Sequence, residues 1–181
     1  TISSAASDVY KRQHLAFEDM DRVRSDLSTG VRRFTEELGM PSPYFAYPYG
    51  EFSTALKEEI RASGFDAAFA QFSSVTGPSS DIFALPRFAI NASYGDLTRC
   101  KLITNARHVP VQNLFPSDPL IKEGEDPRQV RFQLDTNDRG WRTIACYPSH
   151  IGQAAPLSRS DDGVITVDLE QALPKGRSRL N

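Results

Sequence analysis

Tyr44-Phe45-Ala46-Tyr47-Pro48-Tyr49-Gly50-Glu51-Phe52 is the stretch of this chain from which the fold can be read outward. A short aromatic-rich run stopped by Pro48 and Gly50 predicts a strand ending in a tight turn. Phe52, Leu56 and Ile60 then recur at helical spacing, and Gly64-Phe65 is the expected left-handed helix stop with its hydrophobic contact. A second strand is expected from Ala67 to Phe72, a Ser/Gly/Pro-rich loop from Ser73 to Ser80, and a further strand through Phe83 to Ile90. Strand, helix, strand in this rhythm points to parallel βα units.

On the N-terminal side, Met20, Val23, Leu27, Val31, Phe34 and Leu38 are spaced by three and four, which is one face of a helix of about five turns. Gly30 inside it costs roughly 1 kcal/mol relative to alanine, so the helix must lean on packing, and Gly39 with Pro41 ends it. Before it, Asp8-Val9-Tyr10-Lys11-Arg12-Gln13 can be encoded by GAT GTG TAT AAG AGA CAG, similar to the transposase end sequence used in preparing sequencing libraries. Residues 1–13 are therefore expected to be a non-native leader, with genuine protein from His14 and the upstream part of the gene missing.

The pattern changes near Pro110. Pro110, Pro116 and Pro119 and the charged run Lys122 to Arg128 predict a linker over 110–128. Beyond it, Val130, Phe132 and Leu134, then Ile144 and Cys146, then Val164, Ile165, Val167 and Leu169 follow a largely alternating pattern, which predicts a small all-β, sandwich-like module over 129–181. The 181 residues carry 21 basic and 23 acidic side chains, a net charge of −2, with no basic face for nucleic acid; Lys175, Arg177 and Arg179 read as a solvated strand end. No apolar run approaches the roughly 18 residues of a membrane span. Cys100 and Cys146 are too few for a disulfide scaffold or a Cys-rich zinc site.

Three strings in order, Phe45-Ala46-Tyr47-Pro48-Tyr49-Gly50-Glu51-Phe52, Gly64-Phe65-Asp66-Ala67-Ala68-Phe69 and Phe83-Ala84-Leu85-Pro86-Arg87-Phe88, preceded by the long helix, resemble polysaccharide deacetylases of the NodB type. The resemblance covers roughly Leu15 to Ala106 and is to a variant subgroup reading Phe-Ala-Tyr-Pro and Leu-Pro-Arg. It implies an α/β fold, the C-terminal part of a distorted (β/α) barrel, followed here by the β-module. It also implies a hydrolase that removes N-acetyl groups from a polysaccharide or oligosaccharide, using a divalent metal, usually zinc, held by an Asp and two His. In such an enzyme the metal lowers the pKa of its water and a positioned donor stabilises the oxyanion.

Carried over residue by residue, Tyr49 would offer its backbone N–H to the oxyanion, Pro48 would fix the turn and Gly50 would let the chain leave it. Tyr47, Pro48, Gly50 and Leu85 would line the substrate side. Where the commoner pattern has Arg two residues before the Pro, this chain has Ala46, and where it has Leu-x-His it has Leu85-Pro86-Arg87. Arg87 is then expected to supply the missing positive charge, pairing with the base Asp or the oxyanion. An arginine serves as an electrostatic group, not as a proton donor at neutral pH. No Asp-x-x-Asp-Trp motif is present.

The metal motifs are missing as well. There is no Thr-Phe-Asp-Asp, and His14, His108 and His150 form no His-x-x-x-His. Aligning the helix by Leu15, Asp26, Phe34 and Gly39 puts the expected second histidine near Arg12 and the first near Asp8, inside the leader. His14 is a neighbour of the lost ligand or, after a slip of one or two residues, its survivor. The chain alone is therefore expected to bind no metal and to be inactive. Asp135-Thr136-Asn137-Asp138-Arg139-Gly140 resembles a calcium loop, but Arg139 and Cys146 stand at ligand positions, so a hairpin turn is expected. Ser149-His150 lacks a nucleophile elbow and reads as a surface turn. Asn91-Ala92-Ser93 fits a glycosylation sequon and also a lead into a helix near Leu97. The absence of Gly-x-Gly leaves dinucleotide and P-loop readings without support.

A second reading from a different class stays open: a non-catalytic carbohydrate-binding protein in which Tyr44, Tyr47, Tyr49, Phe52 and Trp141 supply stacking surfaces. The resemblance alone favours the cell envelope or exterior.

Overall fold

A computed structural model of the chain describes residues 15–134 and 142–180. It divides into two compact units, Thr1–His108 and Val109–Asn181.

In the first unit, helix α1 runs Met20–Leu38, as the apolar spacing predicts. The Asp19 carboxylate accepts from the backbone N–H groups of Asp21 and Arg22, satisfying donors that the first turn leaves open. At the other end Gly39 adopts φ 74° and its N–H donates to the Thr35 carbonyl at 2.8 Å. Strand β1 (Tyr44–Ala46) leads into a 3-10 turn over Pro48–Gly50 and then into helix α2 (Thr54–Ala62), capped by the buried Ser53 hydroxyl accepting from the Leu56 N–H. Gly64 at φ 85° turns the chain out of α2, as expected, and Phe65 behind it is buried. Strand β2 (Ala67–Phe69) lies parallel to β1, with Phe45 opposite Ala68.

Val23 and Leu27 of α1, Leu56 and Ile60 of α2, and Tyr47, Phe65, Ala68, Ala70 and Phe83 form one buried cluster. Val23, Leu56 and Ile60 are fully covered, each worth about 1.5–3 kcal/mol of burial. This packing offsets Gly30.

The strand expected through Phe83 to Ile90 is not formed. Only Leu85 makes a ladder contact, a parallel bridge to Phe69. The chain still runs alongside β2, because Leu85 N–H donates to the Ala68 carbonyl and Ala70 N–H to the Leu85 carbonyl, both at 2.9 Å. Pro86 has no N–H to continue the ladder, and Ala89 and Ile90 are exposed. The strand expected to Phe72 likewise stops at Phe69. The parallel βα order is thus present as two short strands and one bridge, and no closed barrel forms among the described residues. Helix α3 (Leu97–Asn105) starts where expected, capped by Asp96, and buries none of its residues.

Asp81 ties the loop after β2 to α2. Its carboxylate receives Lys57 Nζ at 2.7 Å and the Phe83 N–H at 2.9 Å, with Arg61 3.6 Å away. Burial alone would push this carboxyl up, but the hydrogen bonds from Lys57 and Phe83 and the charges of Lys57 and Arg61 outweigh it and hold it below the ordinary value. A carboxyl depressed in the folded state stabilises above its unfolded pKa of about 3.9 and loses that contribution as pH falls through the folded value. Asp81→Asn keeps an acceptor for the Phe83 N–H and removes the charge. It is expected to cost about 0.5–1 kcal/mol at neutral pH, discounted for a partly solvated pair, and nothing near pH 2. Urea midpoints measured between pH 2 and 7 check this; an equal loss at both ends refutes it.

The second unit is one four-stranded antiparallel sheet in the order β3-β4-β6-β5, with β3 Val111–Phe115, β4 Gln129–Leu134, β5 Leu157–Arg159 and β6 Val164–Asp168. Two expectations need correction. The 110–128 linker is not structureless, since β3 lies within it and pairs with β4, Val111 opposite Leu134. Every β3 side chain is exposed, so no burial alternation marked it in the sequence; the Arg131 guanidinium sits over the Phe115 ring at 4.5 Å instead. A second facing sheet, which a sandwich needs, is not present among the described residues. The core is Ala155, Val167 and Leu169, with Val130, Phe132, Cys146, Leu157 and Leu173 packed on it.

Candidate functional site

Parallel strands place their functional loops beyond their carboxyl ends. In the first unit three segments leave there together: the turn after β1, residues 70–72 after β2, and Arg87 after the Leu85 bridge. The Tyr47 N–H donates to the Phe69 carbonyl at 3.0 Å, and the turn closes with Gly50 N–H to the Tyr47 carbonyl and Glu51 N–H to that of Pro48. Tyr49 takes φ 55°, ψ 4°, a left-handed conformation costing a side-chain-bearing residue about 1–2 kcal/mol. Such strain persists only where surrounding structure enforces it. Here the enforcement is visible at Gly50, at φ 71°, where a Cβ would stand 2.2 Å from Gln71 Cβ and 2.3 Å from its backbone nitrogen.

Arg87 reaches the same residue from the other side. Its backbone N–H donates to the Phe72 carbonyl at 3.0 Å and its Nε to the Ala70 carbonyl at 2.8 Å, so the two bonds straddle Gln71. Among the described residues the Arg87 guanidinium makes no ion pair, and the base Asp that the resemblance implies belongs to a motif this chain lacks. Its side chain is anchored to backbone and lies largely in solvent. Leu85 is held by its two ladder bonds and is half-buried.

Tyr47 must be moved from the substrate side to the core. It is 2% exposed, its hydroxyl donates to the Phe83 carbonyl at 2.9 Å, and its ring stacks on Phe52 at 5.1 Å and meets Phe45 edge-on at 5.3 Å. Burial pushes its phenol far above the ordinary range. Of the rings proposed for stacking on sugar, Tyr47 and Phe52 are thus packed inward, while Tyr44 and Tyr49 are exposed. Trp141 and the Asp135-to-Gly140 turn lie outside the described residues.

Among the described residues no three His, Cys, Asp or Glu side chains are grouped closely enough to hold a metal ion, so the donor set present does not fit the zinc centre the resemblance implies. His14 lies outside the described residues. Ser149 and His150 do not form a nucleophile and base. The Ser149 hydroxyl accepts from the Arg179 N–H, and both His150 ring nitrogens are buried without a hydrogen-bond partner among the described residues. The sequence reading missed Ser80, whose hydroxyl accepts from Gly77 N–H and lies 3.4 Å from His108 Nε2. The His108 ring covers Gly77 so closely that a Cβ there would stand 2.4 Å from it. No local signal announces a contact between residues so far apart in sequence.

No helix among the described residues is long and apolar enough to cross a membrane. No protein-family model, curated protein or solved structure matches the chain.

Proposed function

We propose that residues 15–106 are the C-terminal part of a metal-dependent polysaccharide deacetylase, a hydrolase cleaving the C–N bond of N-acetyl groups on a glycan, and that this chain by itself is inactive. The observation that supports this reading most directly is the convergence of the strained Pro48-Tyr49-Gly50 turn and Arg87 on Gln71, at the carboxyl ends of parallel strands, from the three strings that carry the resemblance. In the proposed enzyme the Tyr49 backbone N–H faces the developing oxyanion. Tyr47 supports the turn from below. The zinc ligands come from outside the described residues, and the compartment is the cell envelope or exterior.

Two measurements test this. The genomic sequence upstream of the codon for His14 is expected to encode an in-frame Thr-Phe-Asp-Asp and a His-x-x-x-His. The chain alone, with and without added zinc, is expected to release no acetate from N-acetylglucosamine oligomers. Zinc-dependent release by the chain alone would overturn the claim of inactivity. An upstream region without those ligands would overturn the deacetylase reading and favour the second one, a carbohydrate-binding protein using the exposed rings of Tyr44 and Tyr49.

A further inference from the structure

We propose that Arg87 is a carboxylate clamp, so that the glycan taken at this edge carries a carboxylate-bearing sugar next to its N-acetylated one. The inference rests on the proposed function above and names its substrate class.

Arg87 is held twice from behind, through its backbone N–H to Phe72 and through Nε to Ala70. A guanidinium has five N–H donors, and committing Nε to a carbonyl leaves the two Nη groups as a planar fork aimed away from that anchor. Two parallel N–H groups in one plane match the two oxygens of a carboxylate, and the fixed Nε lowers the entropy lost when they engage. Arg22, Arg24, Arg32 and Arg61 each have a carboxylate within 3.0 Å, whereas Arg87, like Arg33, Arg99 and Arg107, makes no ion pair among the described residues; what sets Arg87 apart is that its Nε is fixed on a carbonyl at a strand end. The Arg87 guanidinium therefore has no carboxylate partner within the described fold.

The surroundings suit a saccharide. Phe72, whose carbonyl holds Arg87, is 46% exposed, and Tyr49, on the turn packed against Gln71, is 39% exposed. Aromatic faces at such an edge are surfaces on which a sugar ring can stack, and the fork then selects a ring that carries an anion.

The test compares two six-sugar probes by isothermal titration with the full chain. The hyaluronan hexamer alternates N-acetylglucosamine with glucuronate, whereas chitohexaose is N-acetylglucosamine throughout and uncharged. The hyaluronan hexamer is expected to bind about tenfold more tightly, as one charge-assisted contact implies, with an advantage that shrinks as salt is raised. Arg87→Gln is expected to abolish the preference, with circular dichroism checking that it is folded. Arg87→Lys, which keeps the charge without the fork, should retain only part of it. Equal binding of the two probes, binding of neither, or a preference unchanged in folded Arg87→Gln would each overturn the clamp. None of these outcomes touches the upstream-sequence test, which decides the deacetylase reading separately.

Discussion

Gly50→Ala is expected to destabilise the first unit by about 2–5 kcal/mol, measured as a fall in the urea midpoint. Two costs add. A left-handed conformation costs an alanine about 1–2 kcal/mol. The new methyl would also stand 2.2 Å from Gln71 Cβ and 2.3 Å from Gln71 N, so backbone must move to admit it, at about 1–3 kcal/mol. Gly39→Ala is the control, because Gly39 has a similar φ of 74° but nothing within 4 Å of the added Cβ. It should show the conformational cost alone, about 1 kcal/mol. Equal effects at the two positions would mean that the turn does not bear on Gln71 as described.

Tyr47→Ala is expected to cost still more, about 4–6 kcal/mol, enough to unfold the first unit. Emptying a fully buried aromatic position costs about 3–5 kcal/mol, and the Phe83 carbonyl loses its hydroxyl donor as well. Tyr47→Phe separates the two, since it keeps the rings against Phe52 and Phe45 and removes only the donor, for an expected loss of about 1–2 kcal/mol. Differential scanning calorimetry of both variants reads this order. Full stability in Tyr47→Ala would return Tyr47 to the substrate side, where the resemblance puts it.

The reason for that misplacement is physical. In Tyr47-Pro48-Tyr49-Gly50 the two tyrosines have the same chemistry and flank the same proline, so nothing local says which ring points inward. Alternation along an extended strand would put both on one face, and it is the turn beginning at Pro48 that sends them to different sides. Burial of Tyr47 is decided by Phe83, more than thirty residues away, whose carbonyl needs a donor inside the core. The same argument covers Arg87. Its sequence neighbours say only that a strand is ending at Pro86. That its Nε is spent on Ala70 and its charge left without a described carboxylate depends on how two strand ends lie together.

Helix α1 was legible to its last residue, because burial of one face imposes the three-and-four spacing and Gly39 is a local conformational stop. The turn at Pro48–Gly50, the stop at Gly64 and the start of α3 were legible for the same reason: each is set by φ preferences and caps within a few residues. Strand β3 was not, since an exposed strand has no apolar period and exists only through its ladder to β4. The sequence by itself therefore determined the three helices among the described residues, both ends of the first, the turns and the parallel βα order, all properties of short-range sterics and one-sided burial. Only the tertiary structure decided which tyrosine is core, how short the strands are, and that the Gly50 turn and Arg87 meet on Gln71, because those depend on hydrogen bonds and close contacts between segments distant along the chain.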